Sequence, residues 1–107
     1  MIPRFHLAFP VHNLKMAKQF YIQILGCSLG RESDKWVDFN LYGHQIVAHL
    51  APKDCNQQQK NIVDGDEIPS RHFGVILDWM EWEILCKKIM DKDCLLYTSD
   101  AADDSLG

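Results

Sequence analysis

No stretch of this sequence approaches the ~20 consecutive apolar residues that a membrane-crossing helix needs. The first residues, Met-Ile-Pro-Arg-Phe-His, lack the basic start and apolar run of a secretory signal. Basic residues are not in excess: the formal charge is −4, so nucleic acid is not an expected partner. Four cysteines, at 27, 55, 86 and 94, show no CxxC spacing. That spacing gives no zinc knuckle, and reduced thiols in a cytoplasmic setting are the expectation, the cysteines serving as small hydrophobes. What remains is ordinary: 107 residues, 47% hydrophobic and 24% charged, allow one small globular domain.

Against that plain background one pattern occurs twice. Residues 5–11, Phe-His-Leu-Ala-Phe-Pro-Val, read as a short apolar strand with a histidine near its start. Sixty-six positions on, residues 71–77 read Arg-His-Phe-Gly-Val-Ile-Leu, with His72 in the place of His6. Each runs into a stretch with helical periodicity, which points to a duplicated unit. Side chains alternate across a strand, so Phe5, Leu7, Phe9 and Val11 form a core face. His6, Ala8 and Pro10 share the other, with room beside the imidazole.

The first unit reads as β-α-β-β-β. Asn13 suits an N-cap, and Leu14, Ala17, Tyr21, Ile24 and Leu25 keep helical spacing. Gly26 stands where a C′ residue ends a helix. Residues 27–31 form a strand and 32–35 a polar turn. Over 36–42, Val37, Phe39 and Leu41 alternate with Trp36, Asp38, Asn40 and Tyr42. Gly43 and His44 form a tight turn. Residues 45–50 are the last strand, with Gln45, Val47 and His49 on one face. Residues 51–70 are polar and read as a linker between halves. The second unit starts with the strand at 71–77. Asp78 and Glu81 follow at capping-box spacing, with an apolar stripe of Trp82, Leu85, Cys86, Ile89 and Met90.

Residues 94–103, Cys-Leu-Leu-Tyr-Thr-Ser-Asp-Ala-Ala-Asp, resemble the in-frame translation of a transposase adapter used in sequencing libraries. On that reading 94–107 is a non-native tail, the natural chain breaks off near Asp93, and the second unit is cut after its helix. Without Asp100, Asp103 and Asp104, eleven Lys and Arg face twelve Asp and Glu, a charge of −1. The expected organisation is therefore 1–50 first unit, 51–70 linker, 71–93 start of the second unit, within one domain over 1–93.

Residues 5–93 resemble the vicinal-oxygen-chelate superfamily: glyoxalase-type lyases, extradiol dioxygenases, and fosfomycin- and bleomycin-resistance proteins. The resemblance rests on the histidine-bearing first strand, the helix ending Phe20-Tyr21-Ile22-Gln23-Ile24-Leu25-Gly26, the strand Gln45-Ile46-Val47-Ala48-His49-Leu50, and the stretch opening with His72. It implies an α+β fold of paired βαβββ units curled into a cup. It further implies a divalent metal (Fe, Zn, Mn or Ni) held by His6, His49 and His72, with a fourth ligand, usually glutamate, from strands beyond Asp93. Such a metal, with open positions, acts as a Lewis acid on a small oxygenated substrate. Glyoxalase-type lyases usually have glutamate where His49 stands, a departure that weighs against lyase chemistry. A homodimer sharing its site is implied for the full-length protein.

Plainer readings stand beside these. His6, His49 and His72 also suit ordinary hydrogen-bonded strand histidines. Trp36 and Tyr42, with Asp38 and Asn40 on the same face, contact substrate if that face lines the cup, and otherwise meet solvent. His44 reads as exposed in a turn and Arg71 as a surface arginine. Two functions remain open: a metal-dependent lyase or dioxygenase, and a metal-free protein that sequesters a small molecule, as bleomycin-resistance proteins do.

Overall fold

A computed structural model describes residues 2–55 and 59–92. The segment read as a foreign tail, 94–107, lies outside the described residues, as does Cys94.

The fold is α+β and is built on one four-stranded sheet. Strand β1 (His6–Val11) runs into helix α1 (Leu14–Lys18), and β2 (Ser28–Glu32), β3 (Trp36–Leu41) and β4 (His44–Leu50) follow as a meander. The strand order is β1-β4-β3-β2, with β1 parallel to β4 and the other pairs antiparallel. Parallel neighbours cannot be joined by a tight turn, and α1 lies within the connection that carries the chain across. The alternation along β3 does what its sequence requires. Val37 and Phe39 are each 1% exposed and Leu41 is buried beside them. Ile46 and Ala48 of β4 complete this core, with Leu7, Phe9 and Val11 of β1 packed against it. Ala17, Tyr21 and Leu25 come down on that face from the helix.

Asn13 caps α1, its side chain accepting from the Met16 N–H at 3.0 Å. The winding then widens. Gln19–Ile24 form a π-helical turn, and the Leu25 N–H donates to the Phe20 carbonyl five residues back at 3.0 Å. Regular α spacing over 14–25 is therefore not kept. In the wider turn Tyr21 stacks on Phe39 at 5.2 Å and meets Phe9 at 5.4 Å. Gly26, at φ +79°, lets the chain turn back out.

Three other expectations change. The tight turn is Tyr42-Gly43, one residue earlier than expected, and His44 already belongs to β4. The stretch read as a linker holds a short 3₁₀ turn (Pro52–Cys55) and a hairpin, β5 (Lys60–Val63) with β6 (Asp66–Pro69). Its turn residues Asp64 and Gly65 both have positive φ, 53° and 87°. Such a turn matches the twist of paired strands, which is why Asp-Gly favours hairpins. The polar composition hides it, since every residue of β5 is exposed. Residues 71–77 form no strand. A strand exists only where its backbone groups find a partner, and no described residue pairs with this segment. It is held by side chains instead: Phe73 packs on Phe9 at 5.0 Å, and Val75 reaches the core.

Helix α2 (Trp79–Asp91) is capped by Asp78, whose carboxylate accepts from the Glu81 N–H at 2.8 Å. Its far end is tied to the π-helical turn, Lys92 donating to the Gln23 carbonyl at 2.6 Å. The apolar stripe is only partly covered: Leu85, Cys86 and Ile89 are half-buried, while Trp82 and Met90 are exposed. Among the described residues no helix is long and apolar enough to cross a membrane.

Burial, with Cys27 beside it as a lesser cause, pushes the Tyr21 hydroxyl up to about 12, against an ordinary value of ~10. The folded state disfavours the phenolate, so this contribution is whole below about pH 10 and is lost as pH rises to about 12. Tyr21→Phe removes that loss. Alkaline unfolding followed by circular dichroism should show the variant gaining on the order of 2–3 kcal/mol over the parent across this range. Coincident curves for the two proteins contradict the buried position of Tyr21.

Candidate functional site

One face of the sheet is covered by α1. The other carries His6 on β1, Gln45 and His49 on β4, and Trp36, Asp38 and Asn40 on β3. Asp38 is the one buried polar side chain among the described residues, 6% exposed, because it sits mid-strand between neighbouring strands. A buried carboxylate needs partners, and it has two. Arg31 Nε donates to Oδ2 at 3.2 Å, and Gln45 Nε2 donates to the same oxygen at 3.3 Å. Room for it comes from Gly30 on β2, where an added Cβ would lie 2.9 Å from the Asp38 Cβ.

The row continues. Gln45 Oε1 lies 3.0 Å from His6 Nδ1, because the parallel register sets His6 directly beside Gln45. His6, Gln45, Asp38 and Arg31 thus cross the sheet diagonally, one from each strand. At the β2 end the Arg31 guanidinium lies over the Trp36 ring, 5.5 Å from its centroid, an arrangement that attracts a cation to the ring face. The Arg31 side chain is 78% exposed, so its remaining N–H groups face outward. Around this row is a cleft of about 480 Å³, lined by His6, Arg31, Asp38, Asn40 and Gln45 with Arg4 at its rim.

A larger groove, about 920 Å³, lies on the covered side between α1, residues 71–77 and α2, lined largely by apolar side chains such as Phe9, Phe73, Trp82 and Leu85. A ligand site combines a cavity with a few convergent polar groups. The smaller cleft has them in a connected row, and the larger groove resembles an incompletely filled core, so the site is placed on the open face.

The residues singled out from sequence fall in different places. His6 is in the row. His49 faces the same side but pairs with Pro10, four register steps away, ~13 Å along the strands at ~3.3 Å per residue. His72 lines the larger groove. Its Nδ1 donates to the Pro69 carbonyl at 2.8 Å. One chain therefore keeps the three imidazoles apart, and among the described residues no three His, Cys, Asp or Glu side chains gather as a metal-holding group. A divalent metal shared by His6, His49 and His72 of a single chain does not fit this arrangement. Trp36 lies on the open face beneath Arg31, whereas Tyr42, in the turn at φ 50°, lines the larger groove. The two are not brought together. His44 is no free turn residue, since its Nδ1 accepts from the Phe5 N–H at 3.0 Å. Arg71 donates to the Asp54 carbonyl at 3.5 Å. Cys27 and Cys55 are free thiols pushed up by burial, which suppresses the reactive thiolate.

Gln45 and Arg31 were not singled out by sequence, and Asp38 entered only as one of four residues sharing a face of the strand at 36–42. The available signal was Asp38 itself, a residue type depleted in strands, standing between the core residues Val37 and Phe39.

No protein-family model matches the chain, and no curated protein matches it. Solved structures do. A glyoxalase/bleomycin resistance protein/dioxygenase from Alicyclobacillus acidocaldarius is similar with a TM-score of 0.66 and 29% identity over 85% of this chain. The chain spans 64% of that protein's length. An integron cassette protein from the mobile metagenome of a Halifax Harbour sewage outfall gives 0.63 and 27%, over 86% of this chain and 72% of the other. The chain has a vicinal-oxygen-chelate fold. An integron cassette protein of V. cholerae shares the fold alone, with a TM-score of 0.57 and 15% identity over 87% of this chain and 69% of that one. In this vicinal-oxygen-chelate unit, the sheet order and the parallel first strand set the open face that carries the row.

Gly30→Ala should force β2 away from Asp38 and lower stability by ~1–3 kcal/mol in urea unfolding. Gly74→Ala, where an added Cβ meets nothing within 4 Å, should leave it nearly unchanged. Equal effects at the two positions contradict the close approach.

Proposed function

We propose that this protein binds a small oxygenated molecule on the open face of its sheet, as a member of the glyoxalase, dioxygenase and bleomycin-resistance group. The observation that carries the reading is the connected row His6–Gln45–Asp38–Arg31 beside a cleft of about 480 Å³. Arg31 spends one N–H on Asp38 and has others for ligand oxygens. Trp36 lies beneath its guanidinium, 5.5 Å from ring centroid to Cζ. The row can bind and orient a ligand within one chain without a metal, which favours a binding or sequestering role of the bleomycin-resistance type.

One observation supports a second reading, a metal-dependent lyase or dioxygenase. His6 and His72 each engage a neighbour through Nδ1 and so keep Nε2 available, as metal-bound imidazoles do. Because a single chain holds them apart, this reading requires a homodimer that brings His6 of one copy towards His72 of the other. The metal would be a divalent ion of the Fe, Zn, Mn or Ni kind.

A ¹H–¹⁵N titration of the protein with catechol and with oxalate, in the presence of a chelator, tests the first reading. Shifts are expected at His6, Arg31, Gln45 and Trp36 and should be lost in Arg31→Ala. Shifts confined to Phe9, Phe73 and Trp82, or none with either probe, contradict it. Equilibrium dialysis against Zn²⁺ and Mn²⁺ tests the second. That reading expects stoichiometric metal in the parent and its loss in the His6→Ala/His72→Ala double variant, and unchanged metal content in that variant would rule it out.

A further inference from the structure

We infer that Asp38 and Gln45 are positioning residues that hold His6 in a single tautomer, Nδ1 protonated and Nε2 presenting its lone pair to the cleft. The inference rests on the proposed role of the open face and adds which chemistry His6 offers there.

The constraint starts at the buried end of the row. A carboxylate oxygen only accepts hydrogen bonds. Asp38 Oδ2 receives Arg31 Nε at 3.2 Å and Gln45 at 3.3 Å. The Gln45 group facing it must therefore be the amide NH₂, since turning the amide over would set one acceptor oxygen against another. The Gln45 carbonyl oxygen then faces His6 Nδ1 at 3.0 Å. That oxygen accepts only, so Nδ1 must carry the hydrogen. A neutral imidazole with Nδ1–H has its lone pair on Nε2. Each link is set by the one before it, and the chain of constraint begins at a carboxylate that is 6% exposed and held by strand packing.

The consequence is a polarity for the cleft. Nε2 accepts, while the free N–H groups of Arg31 donate. The ligand that satisfies both ends carries an O–H donor for Nε2 and, across the cleft, a carboxylate or carbonyl oxygen for Arg31. That is the pattern of a molecule with a hydroxyl at one end and a carboxylate or carbonyl oxygen at the other, long enough to span the strands between His6 and Arg31. A free imidazole in water prefers the opposite tautomer, with Nε2–H, so the structure works against the intrinsic preference and the effect can be read directly.

The test uses the ¹⁵N-labelled full chain without ligand, by long-range ¹H–¹⁵N correlation, at about pH 8.5, above the ~6.5 of an ordinary imidazole. The parent is expected to show His6 Nδ1 as the protonated nitrogen and Nε2 as the bare one. Gln45→Met, at an exposed position, should revert His6 to the Nε2–H form while the fold and the signals of His72 stay as they are. Asp38→Asn, which lets the Gln45 amide turn over, should give a mixture of forms. A parent with Nε2–H, or a Gln45→Met variant identical to the parent at His6, overturns the inference. The readout needs no ligand. Correct tautomers without any binding of catechol or oxalate therefore sink the functional reading alone, and binding with the wrong tautomer sinks this inference alone.

Discussion

The parallel pairing of β1 with β4 is the constraint on which the rest of this structure depends. It forces a crossover, which includes α1 with its π-helical end, and the crossover covers one face of the sheet. The opposite face is left for polar side chains. The register of the same pair sets His6 next to Gln45. A slip of one residue would turn His6 into the core and Leu7 outward. Such a slip is opposed by the burial of Ile46 and Ala48, both 0% exposed, against the helix.

The second strong element is a charge inside the sheet. Asp38 is placed among apolar residues, and its cost is offset by Arg31 and Gln45 and by the space that Gly30 leaves. A surface ion pair contributes little, and Arg31 is mostly exposed. The effect of Asp38 is therefore better described as orientation than as stability. It fixes an amide, and the amide fixes an imidazole. In this way the inner packing of β2, β3 and β4 determines which atom the cleft offers to a ligand.

Much of this could be seen in the sequence. Leu7, Phe9 and Val11 gave β1 its core face, although Phe5, expected beside them, precedes the strand and is 41% exposed; Asn13 marked the helix start, and Val37, Phe39 and Leu41 marked the core. The Asp64-Gly65 turn was concealed by its polar surroundings. The strand expected at 71–77 could not be judged locally, because strand formation depends on a partner and not on composition. His6 and His72 occupy matching places in a sequence repeat, yet in space they line different cavities. A repeat conveys local pattern and not the path between its copies. The row itself was hidden for a related reason: it joins residues 6, 31, 38 and 45 through the registers of three strand pairs, none of which is written in any one segment.

The most direct measurement of this account is the set of interstrand nuclear Overhauser contacts between β1 and β4 in isotope-labelled protein. A parallel pattern that pairs Leu7 with Ile46, Ala8 with Val47 and Phe9 with Ala48 is the predicted result. An antiparallel pattern, or the same strands shifted by one residue, would remove His6 from Gln45 and contradict the account.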